Sequence, residues 1–283
     1  MKYSSVVAIL FLALLGGCSS FEILNAMVPK SGYIRTSNIA YGNLPQQRLD
    51  VYKPKNLKSP ADIVIFIHGG YWSFGNKDEY LFVGEALTTR GFVAVLPDFR
   101  LYPNVTFPGF VQDAAKAVRW VHDHAAEIGG DPKHIYLMGH SSGAYVVALL
   151  TLDNQYLKAV GLDRSDIAAT AAMSGPYILV FGPRTGPIFN VKSTTQPFDP
   201  RMEPINCVDG HEPPILLQHG TWDTTVSDKS SIQLADRIRQ KGGQVKLILY
   251  PAGTHMSIML ALSSPFRWLA PVLDDTADFF HKH

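Results

Sequence analysis

The stretch that most constrains the fold is Asp62 to Ile67 (DIVIFI), in which every residue after Asp62 is apolar and most are β-branched. A strand with one wet face alternates. A run apolar at both parities has to be covered on both faces, as in a parallel sheet between two helical layers. Phe92 to Leu96, His134 to Met138, Ala168 to Met173, Pro214 to Gln218 and Val245 to Tyr250 read as further strands, and Arg48 to Tyr52 as a short one after the Gly42-Asn43 turn. Between them lie stretches with helical spacing: Asp78 to Arg90, Phe110 to Ala126, Ser142 to Leu152, Ser227 to Lys241 and Phe266 to His281. This alternation predicts an α/β fold, with a mostly parallel central sheet and helices on both faces.

Gly139-His140-Ser141-Ser142-Gly143 stands where a strand gives way to a helix. A serine on such a tight turn projects from the backbone, the flanking glycines leave room for the strained chain, and the helix N-terminus favours developing negative charge. Ser142 is the weaker nucleophile candidate, since it falls after the turn. His68-Gly69-Gly70-Tyr71-Trp72 directly follows the DIVIFI strand, where glycines let backbone N–H groups face a substrate. A serine nucleophile needs a base, and the base an orienting acid. Asp223, in His219-Gly220-Thr221-Trp222-Asp223, and His255, in Pro251-Ala252-Gly253-Thr254-His255, each follow a late strand. Asp228 is a rival acid that reads better as a helix cap. His219 reads as a core residue, and His68 as a brace for its loop. Asp98 and Arg100 are expected to be structural, bridging to the Phe110 helix.

Together these motifs resemble the α/β-hydrolase superfamily, and within it the hormone-sensitive-lipase-like carboxylesterases. The H-G-G-x-W form, followed by Lys77-Asp78-Glu79, is also similar to kynurenine formamidases. The resemblance runs from about Tyr41 onward and departs from the family form at Phe99 and Tyr102. It implies a triad of Ser141, Asp223 and His255. It also implies an oxyanion hole from the N–H groups of Gly70, Tyr71 and Ser142, and hydrolysis of small to medium acyl esters through an acyl-enzyme. Trp72, Phe74, Phe181 and Phe189 are expected pocket residues, with core packing as their other reading; Phe198 belongs to the same aromatic set. An arylformamidase and a catalytically silent binding protein are the alternative functions.

The proline-rich segment 177–206 lacks periodicity and reads as a small cap insertion over the site, or as a surface loop. No metal or other cofactor is expected, as neither an H-x-x-x-H nor a cysteine pair is present.

Residues 1–17 read as a signal peptide: Lys2, then an apolar run from Val6 to Leu15 shorter than the roughly 20 residues of a spanning helix. Leu15-Gly16-Gly17-Cys18 resembles a bacterial lipobox. That resemblance implies lipidation at Cys18, a tether over 18–35 and a hydrolase domain over 36–283. With Ser19 following, it implies an anchor in the cell envelope, in the outer membrane facing the periplasm. Net charge is +1 for the whole chain, which gives no electrostatic case for nucleic acid as a partner.

Overall fold

The computed structural model describes residues 20–57, 60–192 and 197–283; the signal segment 1–17 and Cys18 lie outside the described residues. Its strands are β1 (Tyr33–Ala40), β2 (Arg48–Pro54), β3 (Ala61–Ile67), β4 (Val93–Pro97), β5 (Gly130–His140), β6 (Ala169–Met173), β7 (Ile215–Gly220) and β8 (Val245–Tyr250). The helices are α1 (Ser20–Ala26), α2 (Leu81–Thr88), α3 (Gly109–His124), α4 (Ser142–Leu152), α5 (Gln155–Lys158), α6 (Lys229–Gln240), α7 (His255–Leu260) and α8 (Val272–Phe280). The strands form one eight-stranded sheet in the order β1-β2-β4-β3-β5-β6-β7-β8. β2 pairs antiparallel with β1 and β4, and every other pairing is parallel.

The DIVIFI run does what its pattern requires. Ile63, Ile65 and Ile67 enter the core beneath α3, α4 and α6, while Val64 and Phe66 enter the opposite core beneath α1, α2, α7 and α8. β4 and β5 split the same way, with Val95 and Leu137 on the first face and Leu96 and Met138 on the second. Because the crossovers are parallel, the loops that leave β3, β5, β6, β7 and β8 all emerge at one edge of the sheet. The chemistry-bearing residues are on these loops.

Three expectations are corrected. Residues from Ser20 onward, read as tether, form α1 and the start of β1. Phe21, Leu24 and Val28 recur at helical spacing; Leu24 and Val28 are buried, and Phe21 lies 5.2 Å from the Tyr80 ring. β1 has no apolar alternation to announce it, because it is an edge strand with most side chains in water. The helix expected from Asp78 opens as a 3-10 turn, Lys77–Tyr80, before α2 begins. The helix expected from Phe266 is broken: Arg267–Leu269 is a 3-10 turn, and α8 starts only after Pro271.

Segment 177–206 belongs to the connection from β6 to β7. Among its described residues it forms two 3-10 turns, Pro200–Met202 and Pro204–Cys207, and neither α-helix nor strand. Tyr177, Ile188 and Phe189 bury their side chains in the core under α3 and α4. Polar contacts hold it as well: Phe107 N–H donates to Ile188 O at 2.9 Å, and Tyr145 Oη to Met202 O at 2.6 Å.

Candidate active site

Ser141 sits between β5 and α4 with φ 56° and ψ −122°, a conformation that costs a side-chain-bearing residue about 1–3 kcal/mol. The cost is tolerated because the surroundings fix it: Ser141 N–H donates to Met173 O at 2.9 Å, and Ser141 O accepts from Tyr145 N–H at 3.1 Å. Gly143 is needed here for close approach. A Cβ at 143 would lie 2.0 Å from Ile67 O and 2.6 Å from His68 O, both backbone atoms. α4 therefore abuts the end of β3, which brings the serine turn against the loop that begins at His68.

That loop is held in an unusual backbone. Gly70, Tyr71 and Trp72 have φ of 125°, 54° and 55°. Only glycine fits at position 70, where a Cβ would lie 1.8 Å from Phe74 O. The loop closes on itself, with Ser73 and Phe74 N–H both donating to Gly70 O at 3.0 Å. Among the described residues, no acceptor takes the N–H of Gly70 or Tyr71. Ser142 N–H belongs to the first turn of α4, whose donors have no partner within the helix.

Behind the loop His68 stacks between Phe99 (4.6 Å) and Tyr80 (5.7 Å), and its Nδ1 bonds Gly69 O at 2.7 Å. Burial pushes its pKa down to about 4, so it is a neutral brace. Asp98 accepts Lys77 N–H at 2.6 Å, and burial pushes its carboxyl up to about 6. Lys77 in turn pairs with the fully buried Asp50 at 3.1 Å. Arg100 makes a forked pair with Asp113 of α3, at 2.7 and 2.9 Å. The bridge expected from Arg100 to that helix is thus present, while Asp98 instead ties down the start of the Lys77 turn.

Asp223, after β7, and His255, opening α7 after β8, meet: His255 Nδ1 is 2.7 Å from Asp223 Oδ2. The Asp223 side chain is fully buried, and Oδ1 accepts Thr225 and Val226 N–H, both at 2.9 Å. Burial favours its neutral form. Hydrogen bonds from His219 and His255 and from Val226 N–H outweigh that and hold the carboxyl well below its usual range. Asp228 occupies the N-cap position of α6 but makes no side-chain cap bond. His140 joins the two halves of the site. It precedes Ser141, its Nε2 bonds His255 O at 3.1 Å, and the two imidazoles lie 4.7 Å apart. Burial first, and the neighbouring His255 second, push His140 down to about 3.

The pocket aromatics divide. Phe189 is fully buried, edge-on to Trp72 (5.0 Å), Tyr145 (5.7 Å) and Phe110 (6.0 Å), and Trp72 is 3% exposed. Both are packed in the core, which was their other reading. Phe181 is buried yet lines a cavity of about 650 Å³ with Tyr102, Thr106, Pro183, Pro187 and Val191. Phe74 is 56% exposed, so of the four it is the one in solvent. The Arg184 guanidinium lies 4.0 Å over the Tyr71 ring. Two features escaped sequence reasoning. His219, taken as core, reaches the Asp223 carboxylate at 3.3 Å, and His140 packs on His255. Only a short spacing to Asp223 pointed to the first, and nothing in the sequence to the second.

Comparison with known proteins agrees with this architecture. A truncated carbohydrate esterase from gut microbiota superposes with a TM-score of 0.77 at 23% identity, covering 90% of this chain and 98% of that one. Esterase B from Lactobacillus rhamnosis gives a TM-score of 0.78 at 20% identity, covering 98% and 97%. The fold is the α/β-hydrolase fold. The BD-FAE family model matches residues 49–179 of this chain, which include the loop at His68 and the serine turn. A probable isoprenylcysteine alpha-carbonyl methylesterase of Arabidopsis thaliana is 32% identical over 277 residues, which cover 88% of this chain and 57% of that protein. The chain spans 57% to 64% of the length of the curated plant methylesterases it matches.

Among the described residues no cluster of His, Cys, Asp and Glu is placed to hold a metal ion, and no helix is long and apolar enough to cross a membrane.

Proposed function

We propose that the chain is a carboxylesterase-type serine hydrolase acting on small to medium acyl esters. The observation that carries this reading is the 2.7 Å contact of His255 Nδ1 with the buried Asp223 carboxylate, beside the strained turn that projects Ser141. In this reading Ser141 Oγ attacks the ester carbonyl while His255 Nε2 takes its proton, and Asp223 holds the imidazole with Nδ1 protonated. The tetrahedral oxyanion is met by the N–H groups of Gly70, Tyr71 and Ser142, a stabilisation of several kcal/mol when preorganised. The alcohol leaves with the proton from His255, and water attacks the acyl-enzyme by the same route. The similarity to proteins named as esterases supports the reaction class.

The N-terminal segment supports a further element of the proposal: lipidation at Cys18 and attachment to a bacterial envelope membrane. α1 begins two residues after Cys18, and its Asn25 Oδ1 accepts the N–H of Phe82 at the start of α2. The attachment would then join the body at the edge that carries the catalytic loops.

Hydrolysis of p-nitrophenyl butyrate, compared between the chain and Ser141→Ala, tests the proposal. Loss of at least about 10⁴-fold in kcat with the fold intact is expected. Turnover surviving in Ser141→Ala, or a fluorophosphonate probe labelling another serine, would overturn it. A formamide ester analogue in the same panel separates ester from formamide preference.

A further inference from the structure

Asp223 Oδ2 is approached by two imidazoles. His255 Nδ1 is 2.7 Å away and His219 Nε2 is 3.3 Å away. His255 keeps some exposure, whereas the His219 side chain has none. The groups around His219 fix its orientation. Its Nε2 faces two acceptors, Asp223 Oδ2 and Val226 O (2.9 Å), so that nitrogen carries a proton and shares it between them. Its Nδ1 meets the Ser231 hydroxyl of α6 at 2.7 Å. Ser231 is fully buried, and its neighbour Ser230 accepts Tyr177 N–H at 2.7 Å, at the root of the cap segment. Hydrogen bonds therefore run from Ser231 through His219 to the carboxylate that His255 uses, while the adjacent Ser230 ties α6 to Tyr177.

From this geometry we infer that His219 is a positioning residue: it shares Oδ2 with His255, fixes the carboxylate plane, and limits how strongly Asp223 holds the His255 proton. The inference rests on the esterase reading above. A carboxylate oxygen with two N–H donors is a weaker acceptor toward each than one with a single donor. Without His219, Oδ2 is less compensated, and the His255 imidazolium formed during turnover is held more strongly by Asp223. The acid limb of kcat/KM, which reports the free enzyme's base, then moves upward. The other titratable group against His255 is His140, which burial keeps neutral, so it adds no limb of its own.

The test is the pH profile of kcat/KM for p-nitrophenyl butyrate in His219→Leu, His219→Gln and Ser231→Ala. In His219→Leu the acid limb is expected to move up by about half a pH unit or more, with kcat down about tenfold. In His219→Gln, whose amide N–H can stand near the Nε2 position, the limb returns toward wild type. Ser231→Ala, which frees the far side of the ring, shifts it in the same direction by less, and it carries the test if His219→Leu does not fold. An acid limb unmoved in the folded variants overturns the inference, whatever their stability. Activity surviving in Ser141→Ala would instead sink the esterase reading beneath it, so the two failures are distinguishable.

Discussion

The floor of the site and the segment 177–206 are built on opposite terms. At the floor, α4 lies so close to β3 that one added carbon at Gly143 would fall 2.0 Å from a backbone oxygen. In the segment 177–206, a Cβ at Gly182 would meet nothing within 4 Å, and the neighbouring cavity holds about 650 Å³. Crowding fixes the backbone around Ser141, whereas the segment leaves open space beside its own residues. The two regions join at Phe189, which leaves the cap segment to bury its ring among Trp72, Phe110 and Tyr145.

That join is where the contrast is most easily broken. Phe189→Ala is expected to cost about 3–5 kcal/mol, as for other buried aromatic truncations, read by urea unfolding. A cost under about 1 kcal/mol would mean that the cap is not rooted in the floor.

Gly143→Ala is expected to cost about 3 kcal/mol, because the clashing partners are backbone and cannot rotate away. Esterase turnover should fall with it, as the serine turn and the loop at Gly70 are pushed apart. Its counterpart, Gly182→Ala, should stay within about 0.5 kcal/mol of wild type and keep its turnover. Equal effects at the two glycines would erase the distinction between floor and cap.

Acidity sharpens the comparison further. The folded state holds His140 at about 3 against an ordinary 6.5. Below pH 6.5 the unfolded chain therefore binds a proton that the folded chain refuses, and stability falls as pH falls toward 3. By pH 4.5 this group alone contributes a loss of about 2–3 kcal/mol. His140→Asn removes that part of the slope between pH 7 and 4.5. The part from His68, held at about 4, stays, and Asp98, raised to about 6, acts with the opposite sign as it takes up a proton. An unchanged slope in the variant would show that His140 is charged in the folded protein.

Much of the floor was legible in the residues. DIVIFI divides its side chains between two cores as its two-sided pattern demands, and Ser142–Leu152 has the bounds its composition suggests. Asp223 and His255 lie on the loops that strand order assigns them, within hydrogen-bond distance. What stayed hidden depends on contacts between distant segments. Phe21, Leu24 and Val28 make a helical stripe too short to stand out, and it is held by Tyr80 and Phe82 far along the chain. His219 looks like a core residue because it is one; only the fold shows that its Nε2 faces Asp223. Phe189 and Phe74, one fully buried and one exposed, are alike in sequence and opposite in surroundings.

The bond from His140 to the His255 carbonyl spans 115 residues of chain. Considered in time, this span is a delay. A ribosome that has finished the serine turn still needs on the order of ten seconds to reach His255 at ordinary rates. Throughout that interval the nascent chain holds Ser141 but not His255, the base of the proposed triad. On the proposed triad, the reactive machinery would be complete only at the closing stage of synthesis and folding, and a chain interrupted earlier would be inert, whatever ester surrounds it.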